Sequence, residues 1–338
     1  MTPARLRVSI AAAIILPALL LFGSLALVSG QQASNNAATG PTPSPSPPEK
    51  LRGFLVGVRE HGTPGPWAKI TRFVTATRIT PRLVLYYSGW YQPFQTSFAR
   101  TAAQHGAEVL DQIQPWGVPL AKIAAGHYDG YLRSYAHQVA VFGRPVVIGF
   151  GHEMNGRWYS WGYGHEPPPV YVAAWRHVVT VFRRQGAANV RWLWTVSSGV
   201  GRPLRPWWPG RRYVTWVGID GYYYQRGQDF AFVFGRTIRK VRAFSKAPIM
   251  LAEAGIGQVA GQARMMPDLV AGIRRYHLLG LVWFDVDQHN PPVYQDWRLE
   301  GHPAAVAAFR RGMVSLGVPI AGQGVLEAGQ AGPPGLAG

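Results

Sequence analysis

Eight short apolar runs, with helical patterns between most of them, constrain the fold of this chain more than any other feature. They are GFLVGV from Gly53, RLVLYYSGW from Arg82, EVLDQIQ from Glu108, PVVIGF from Pro145, VRWLWTVS from Val190, VTWVGIDGY from Val214, PIMLAEAG from Pro248 and LGLVWFDV from Leu279. Runs of this length, rich in Val, Ile and aromatic residues, read as strands covered on both faces. The segments between them repeat apolar residues at helical spacing. DGYLRSYAHQVAVFG starts at Asp129, a candidate N-cap, and PVYVAAWRHVVTVFRRQG has Pro169 near its start and Gly186 after its last periodic residue. FAFVFGRTIRKVRAFS and HPAAVAAFRRGMVSLG read the same way. Eight such units over about 265 residues predict an α/β fold, a single (β/α)8 TIM barrel, which typically takes about 250 residues. A doubly wound open sheet has the same alternation and is the second architecture to consider. The barrel makes a demand of its own: its chemistry belongs at the C-terminal ends of the strands.

The ends of the chain have a different character. Arg5 and Arg7 precede an apolar run from Val8 to Val28, followed by the small and polar Ser29-Gly30-Gln31-Gln32. A charged start, an apolar stretch and small residues describe a secretory signal. The run also approaches the roughly 20 residues needed to span a bilayer, so residues 8–28 are a candidate uncleaved membrane anchor. Residues 1–30 are therefore expected to be a signal peptide or anchor, leaving the remainder secreted or at the cell surface. Residues 31–50 contain PTPSPSPPEK, a Pro/Ser-rich tether with no core-forming pattern. The barrel is expected over 51–318, and the Gly-rich 319–338 as a disordered tail.

The chain has 34 Lys and Arg against 16 Asp and Glu, a formal net charge of +18. The basic residues are scattered, as at Arg183, Arg184, Arg202, Arg205, Arg211 and Arg212, and no recognition module accompanies them. Nucleic acid is therefore not expected as a partner. A dispersed basic surface suits anionic cell-surface polymers instead. The absence of cysteine excludes a disulfide framework and a thiol nucleophile.

Candidate chemistry sits where the barrel requires it. Glu153 lies just beyond the fourth run, in GFGHEMNGRWYSWGYG, and Glu253 lies at the end of the seventh. On a closed barrel both strand ends open onto one face, and two carboxylates meeting there suit glycoside hydrolysis. One, protonated, donates to the leaving oxygen; the other, ionised, attacks the anomeric carbon. A retaining pair stands about 5–5.5 Å apart, an inverting pair roughly 6.5–9.5 Å. Aromatic residues near strand ends support a sugar substrate, because an indole face covers the apolar face of a pyranose. They include Trp90, Trp116, Trp158, Trp161, Trp283 and Tyr222 to Tyr224. Trp158 and Trp161, in a polar Gly-bounded loop, are expected to be exposed, whereas Trp175, Trp192 and Trp194 belong to the core.

Other motifs carry less. HEMN lacks the second His of a zinc helix. GIGQVAG from Gly255 resembles a dinucleotide loop but does not follow the first strand of a βαβ unit. Ser197-Ser198 lacks the nucleophile-elbow pattern.

At GHEMNGRWYSWG the chain resembles glycoside hydrolase family 26, the β-mannanase family of barrel glycosidases. The resemblance continues through YVAAWRHVVTVFRRQGAANVRWLWTVSS, YVTWVGIDGYYY, PIMLAEAGIG and LVWFDVDQHNPPVYQDWR, covering Leu83 to about Phe309. It implies that Glu153 is the acid/base and Glu253 the nucleophile of a retaining reaction with no cofactor and no metal. It further implies that His152 contacts sugar or the nucleophile, that Tyr222 hydrogen-bonds the nucleophile, that Trp283 floors the cleaved sugar's subsite and that Trp158 stacks on the leaving-group side. Two positions depart from the family pattern: Gly149, where members often carry Arg, and Gln114-Pro115, where they often carry Glu-Pro. Together these lead to an expected exported, monomeric endo-β-glycanase acting on polysaccharide, with β-1,4-mannan first. Mixed-linkage β-glucan and β-1,3-xylan are alternative substrates, and a cell-surface carbohydrate-binding barrel without catalysis is the alternative function.

Overall fold

All eight runs form strands in the computed structural model, which describes residues 53–290 and 293–322. The strands are β1 (Leu55–Glu60), β2 (Leu83–Gly89), β3 (Glu108–Gln114), β4 (Val146–Phe150), β5 (Val190–Ser197), β6 (Trp216–Tyr223), β7 (Ile249–Ile256) and β8 (Gly280–Asp285). Each pairs in parallel with the next, and β8 returns to β1 with Leu55 opposite Gly280 and Glu60 opposite Asp285. That closing ladder excludes the open sheet and makes the fold a (β/α)8 barrel.

The helices are α1 (Ala68–Thr77), α2 (Thr96–Gln104), α3 (Leu120–Ala124), α4 (Asp129–Phe142), α5 (Pro168–Arg184), α6 (Arg236–Arg242), α7 (Gln262–Arg275) and α8 (Pro303–Ser315). The connection from β5 to β6 is irregular and carries two single 3-10 turns, Arg205–Trp207 and Arg211–Tyr213, in place of an α-helix. After β8 a small hairpin forms from β9 (Asp287–Asn290) and β10 (Val293–Asp296).

Strand alternation divides the core into two shells. Leu55, Leu83, Leu85, Leu110, Val147, Leu193, Met250 and Val282 fill the barrel interior. Their neighbours, among them Val56, Val84, Val109, Ile148 and Trp194, pack outward against the helices. A strand with apolar neighbours on both sides needs apolar residues at every position, which is why the runs are nearly continuous.

Asp129 begins α4 as its first helical residue, with Tyr128 at the N-cap. The expected capping role is therefore corrected. Its carboxylate instead meets His177 Nε2 at 2.6 Å and Arg133 at 3.5 Å, and its charge complements the helix N-terminus. Ordered contacts also run past the expected boundary at 318. Ile320 bridges Ile79, and Ala321 N–H donates to the Arg78 carbonyl at 2.8 Å. The leader, the Pro/Ser tether and most of the Gly-rich tail lie outside the described residues. Among the described residues, no helix is long and apolar enough to cross a membrane.

Candidate active site

The chain turns as soon as β4 ends. Gly151 and Glu153 both have φ of +53°, a left-handed conformation that is uncommon for glutamate. The backbone of β5 holds this turn in place. Glu153 N–H donates to the Thr195 carbonyl at 3.0 Å. The Asn155 amide exchanges two bonds with Ser197, donating to its carbonyl at 2.8 Å and accepting from its N–H at 2.9 Å. Met154 is fully buried, and a Cβ on Gly156 would stand 2.3 Å from the Trp158 ring. The His-Glu-Met-Asn-Gly run is therefore a device for aiming Glu153: one residue anchors, one clasps, one leaves room for an indole.

Glu253 approaches from β7. That strand carries one extra residue against β6, since Ile219 pairs with Leu251 but Asp220 pairs with Glu253. Such an irregularity re-aims the side chains beyond it. The Tyr87 hydroxyl donates to Glu253 Oε1 and the Tyr222 hydroxyl to Oε2. Arg59, at the end of β1, stacks over the Tyr87 and Phe284 rings at 5.4 and 5.9 Å. Its charge favours ionised Glu253.

The two carboxyls sit in unequal surroundings. Burial, reinforced by the charge of Glu253, pushes Glu153 up to about 8; hydrogen bonding by Ser197 and Trp158 opposes this only in part. Burial also raises Glu253, but two tyrosine hydroxyls and Arg59 pull it back. A single proton shared by this pair therefore rests on Glu153. Asp220 is a third carboxyl, 1% exposed, with neither oxygen hydrogen-bonded. Burial and the two glutamates drive it well above its ordinary value. Beside Glu153 a pocket opens, lined by Ser197, Ser198, Asp220, Tyr222, Tyr224 and the exposed Phe232.

The remaining expected residues divide. Tyr222 lies on Glu253, as above. Trp158 is half-buried and donates its ring N–H to Glu153 Oε2 at 2.8 Å, so it touches that carboxyl directly. His152 is 2% exposed, with Nε2 3.1 Å from the Tyr159 hydroxyl and its ring 5.4 Å from that of Tyr87. Burial lowers its pKa to about 3, so it is neutral and reaches Glu253 only through packing on Tyr87.

Two aromatic expectations are corrected. Trp283 does not face the cleft. Strand alternation turns it outward, where it packs fully buried against Phe309 of α8 and donates to the Trp297 carbonyl at 3.1 Å. Trp161 is 1% exposed rather than solvent-facing. It stacks on Tyr159 at 4.4 Å and donates to the His152 carbonyl at 2.8 Å. Trp175, Trp192 and Trp194 lie in the core as expected.

The two departures also have local explanations. A Cβ at Gly149 would lie 1.8 Å from Gln112 Oε1, and Gln112 spans the barrel interior to Thr195 Oγ1 at 3.0 Å. A larger residue at 149 requires that bridge to move. Gln114 is buried and accepts the Trp116 ring N–H at 3.2 Å.

Tyr87, Arg59 and Asp220 escaped the reading of motifs. Alternation along β2 could have found Tyr87, since Leu83 and Leu85 precede it on the interior face. Arg59 and Asp220 are charges set in apolar strands, which is itself a signal.

Residues 130–291 match the model of glycosyl hydrolase family 26. That segment, just under half of the chain, is similar to glycosyl hydrolase family 26. It is 29% identical over 238 residues to an endoglucanase H from Acetivibrio thermocellus, covering 65% of this chain and 25% of that protein. It is 30% identical over 115 residues to a mannan endo-1,4-β-mannosidase A and B from Caldalkalibacillus mannanilyticus, covering 32% and 20%. The chain thus spans about a quarter or less of the length of these curated relatives. Its fold is similar to that of a family 26 β-mannanase from Bacteroides ovatus, with a TM-score of 0.59 at 17% identity over 83% of this chain and 95% of the other.

Proposed function

We propose that this barrel is a retaining family 26 endo-β-glycanase with β-1,4-mannan as its first substrate. The observation that carries the reading is the asymmetry of the carboxyl pair, with Glu253 gripped by two hydroxyl donors and Glu153 holding the proton. In the first step the Glu153 carboxyl gives its proton to the glycosidic oxygen as the bond to the anomeric carbon breaks. A Glu253 oxygen attacks that carbon from the opposite face, forming a glycosyl ester. In the second step Glu153, now a carboxylate, takes a proton from water. The resulting hydroxide equivalent attacks the anomeric carbon and releases Glu253. Each Glu253 oxygen keeps a lone pair beyond the one its tyrosine uses, so the grip orients the nucleophile without blocking it. Trp158 and the pocket beside Glu153 lie on the proposed leaving-group side.

Mannan rests on the relative named as a mannan endo-1,4-β-mannosidase. The relative named as an endoglucanase favours mixed-linkage β-glucan as the second substrate. Export is supported by Arg5, Arg7 and the apolar residues 8–28, which also allow retention at the membrane.

The test is product analysis on mannan, mixed-linkage β-glucan and β-1,3-xylan, with the anomeric configuration followed by NMR. Release of β-configured products by the wild type, and none by Glu253→Ala, is the expected result. Undiminished hydrolysis by Glu253→Ala would rule out the mechanism. Binding without release on every glycan would favour the non-catalytic barrel.

A further inference from the structure

On the side of β1 and β8 turned away from the cleft, three carboxyl groups converge. Glu60 ends β1 and stands opposite Asp285, which ends β8, across the seam where the barrel closes. Glu300, just before α8, completes the group, and one oxygen from each of the three lies within 4.8 Å of the other two. Glu60 is 7% exposed and Asp285 2%. One oxygen of Glu60 and one of Glu300 are shielded from solvent and accept no hydrogen bond. Asp285 uses one oxygen to accept the Leu299 N–H at 2.7 Å, which fixes the segment that delivers Glu300. Arg298, held by Asp296 and Asp287, also feels the charge of Asp285, and among the described residues the basic group that pairs directly with the trio is Arg72. Its Nε is 3.9 Å from Glu300, and its side chain is 61% exposed. Burial, with Asp285 next in effect, pushes Glu60 up to about 9, so the surroundings leave the trio short of positive charge.

We propose that Glu60, Asp285 and Glu300 form a calcium site that ties the first and last strands of the barrel together. Calcium takes oxygen ligands at about 2.3–2.6 Å, so two oxygens on opposite sides of one ion stand roughly 4.6–5.2 Å apart. All three oxygens lie within 4.8 Å of one another, close enough for a single ion to reach each of them. An all-carboxylate set excludes the softer metals, which prefer nitrogen or sulfur. Magnesium, with bonds of about 2.0–2.1 Å and a reluctance to shed water, fits a partly dehydrated cluster less well. The unpartnered Glu60 oxygen, more than nine-tenths buried, is the group that most needs a cation. The ion links β1, β8 and the segment before α8, and it stabilises the barrel without touching Glu153 or Glu253. The proposal is independent of the glycosidase reading.

The experiment uses the full chain, stripped with EDTA and dialysed, then titrated with calcium chloride or magnesium chloride by calorimetry and melted in each salt. One calcium per chain, a melting temperature several degrees higher in calcium, and a smaller rise in magnesium are expected. Glu300→Gln and Glu60→Gln should each weaken calcium binding about tenfold or more, since ligand charge sets affinity at such sites. Absence of both heat and a melting shift in the wild type overturns the proposal and leaves the trio as a protonated cluster. Wild-type affinity in both variants overturns it as well. Should a variant fail to fold, density for the ion in wild-type crystals grown with calcium decides the location, and density away from the trio is the refuting result.

Discussion

The Trp158 ring N–H donates to Glu153 Oε2 at 2.8 Å, so the indole expected to serve as a sugar platform is bonded to the proposed proton donor. A donor at that oxygen favours the carboxylate form, and Trp158 is among the groups that hold Glu153 down against its burial. Replacing Trp158 with Phe keeps most of the ring and removes the N–H. The alkaline limb of kcat/KM should then move to higher pH while kcat falls. A pH–rate profile of Trp158→Phe with a soluble glycan tests this; an unshifted limb would leave the indole with a stacking role alone.

The grip on Glu253 acts in the same sense on the other limb. Tyr87 and Tyr222 each donate to a different oxygen, and each favours ionised Glu253. Hydrogen bonds to charged groups contribute about 1.5–3 kcal/mol, so Tyr87→Phe and Tyr222→Phe should each lower kcat roughly tenfold to a hundredfold. Both should also move the acid limb to higher pH, because Glu253, the proposed nucleophile, becomes harder to ionise. Equal acid limbs in wild type and both variants would show that the tyrosines do not tune the nucleophile.

Glu153 links activity to stability. Its value rises from 4.5 to about 8 in the folded chain, so the folded state binds its proton more tightly than the unfolded state does. The resulting stabilisation is fully present below about pH 4.5 and is lost as pH rises through about 8. Activity that needs the protonated acid should fall over the upper part of the same range. Glu153→Gln cannot ionise there. Its melting temperature relative to wild type should climb from pH 5 to pH 9 as the activity of the wild type falls. A constant difference across that range would mean the carboxyl is not protonated in the fold.

Trp283 offers a contrast between core and cleft. It is fully buried against Phe309, and burial of that kind makes Trp→Ala cost about 3–5 kcal/mol of stability. The folded fraction of Trp283→Ala should keep a KM close to wild type, since the indole does not reach the cleft. Denaturant unfolding paired with kinetics well below the melting temperature separates the two effects. A large rise in KM with little loss of stability would restore Trp283 to a sugar subsite.

The strand runs announced the barrel because strands covered on both faces must be apolar throughout, a pattern short enough to recognise locally. Strand order then placed Glu153 and Glu253 at one mouth; Glu153 lies three residues past β4 and Glu253 in the C-terminal half of β7. Which aromatic rings reach that mouth depends on strand alternation. A shift of one position turns a side chain from the cleft to the helices. Trp283 lies on the helix side for that reason, and Trp161 is buried because its polar loop folds back onto Tyr159.

The sequence alone determined the closed alternation of strands and helices and the pair of glutamates, because both follow from patterns within a few neighbouring residues. Tertiary structure decided which carboxyl keeps its proton. That outcome depends on Tyr87, Tyr222 and Arg59, which come from three other strands and meet Glu253 only once the barrel closes. Charge stabilisation falls steeply with distance and rises with burial, so no stretch of sequence holds it until the fold has brought the groups together.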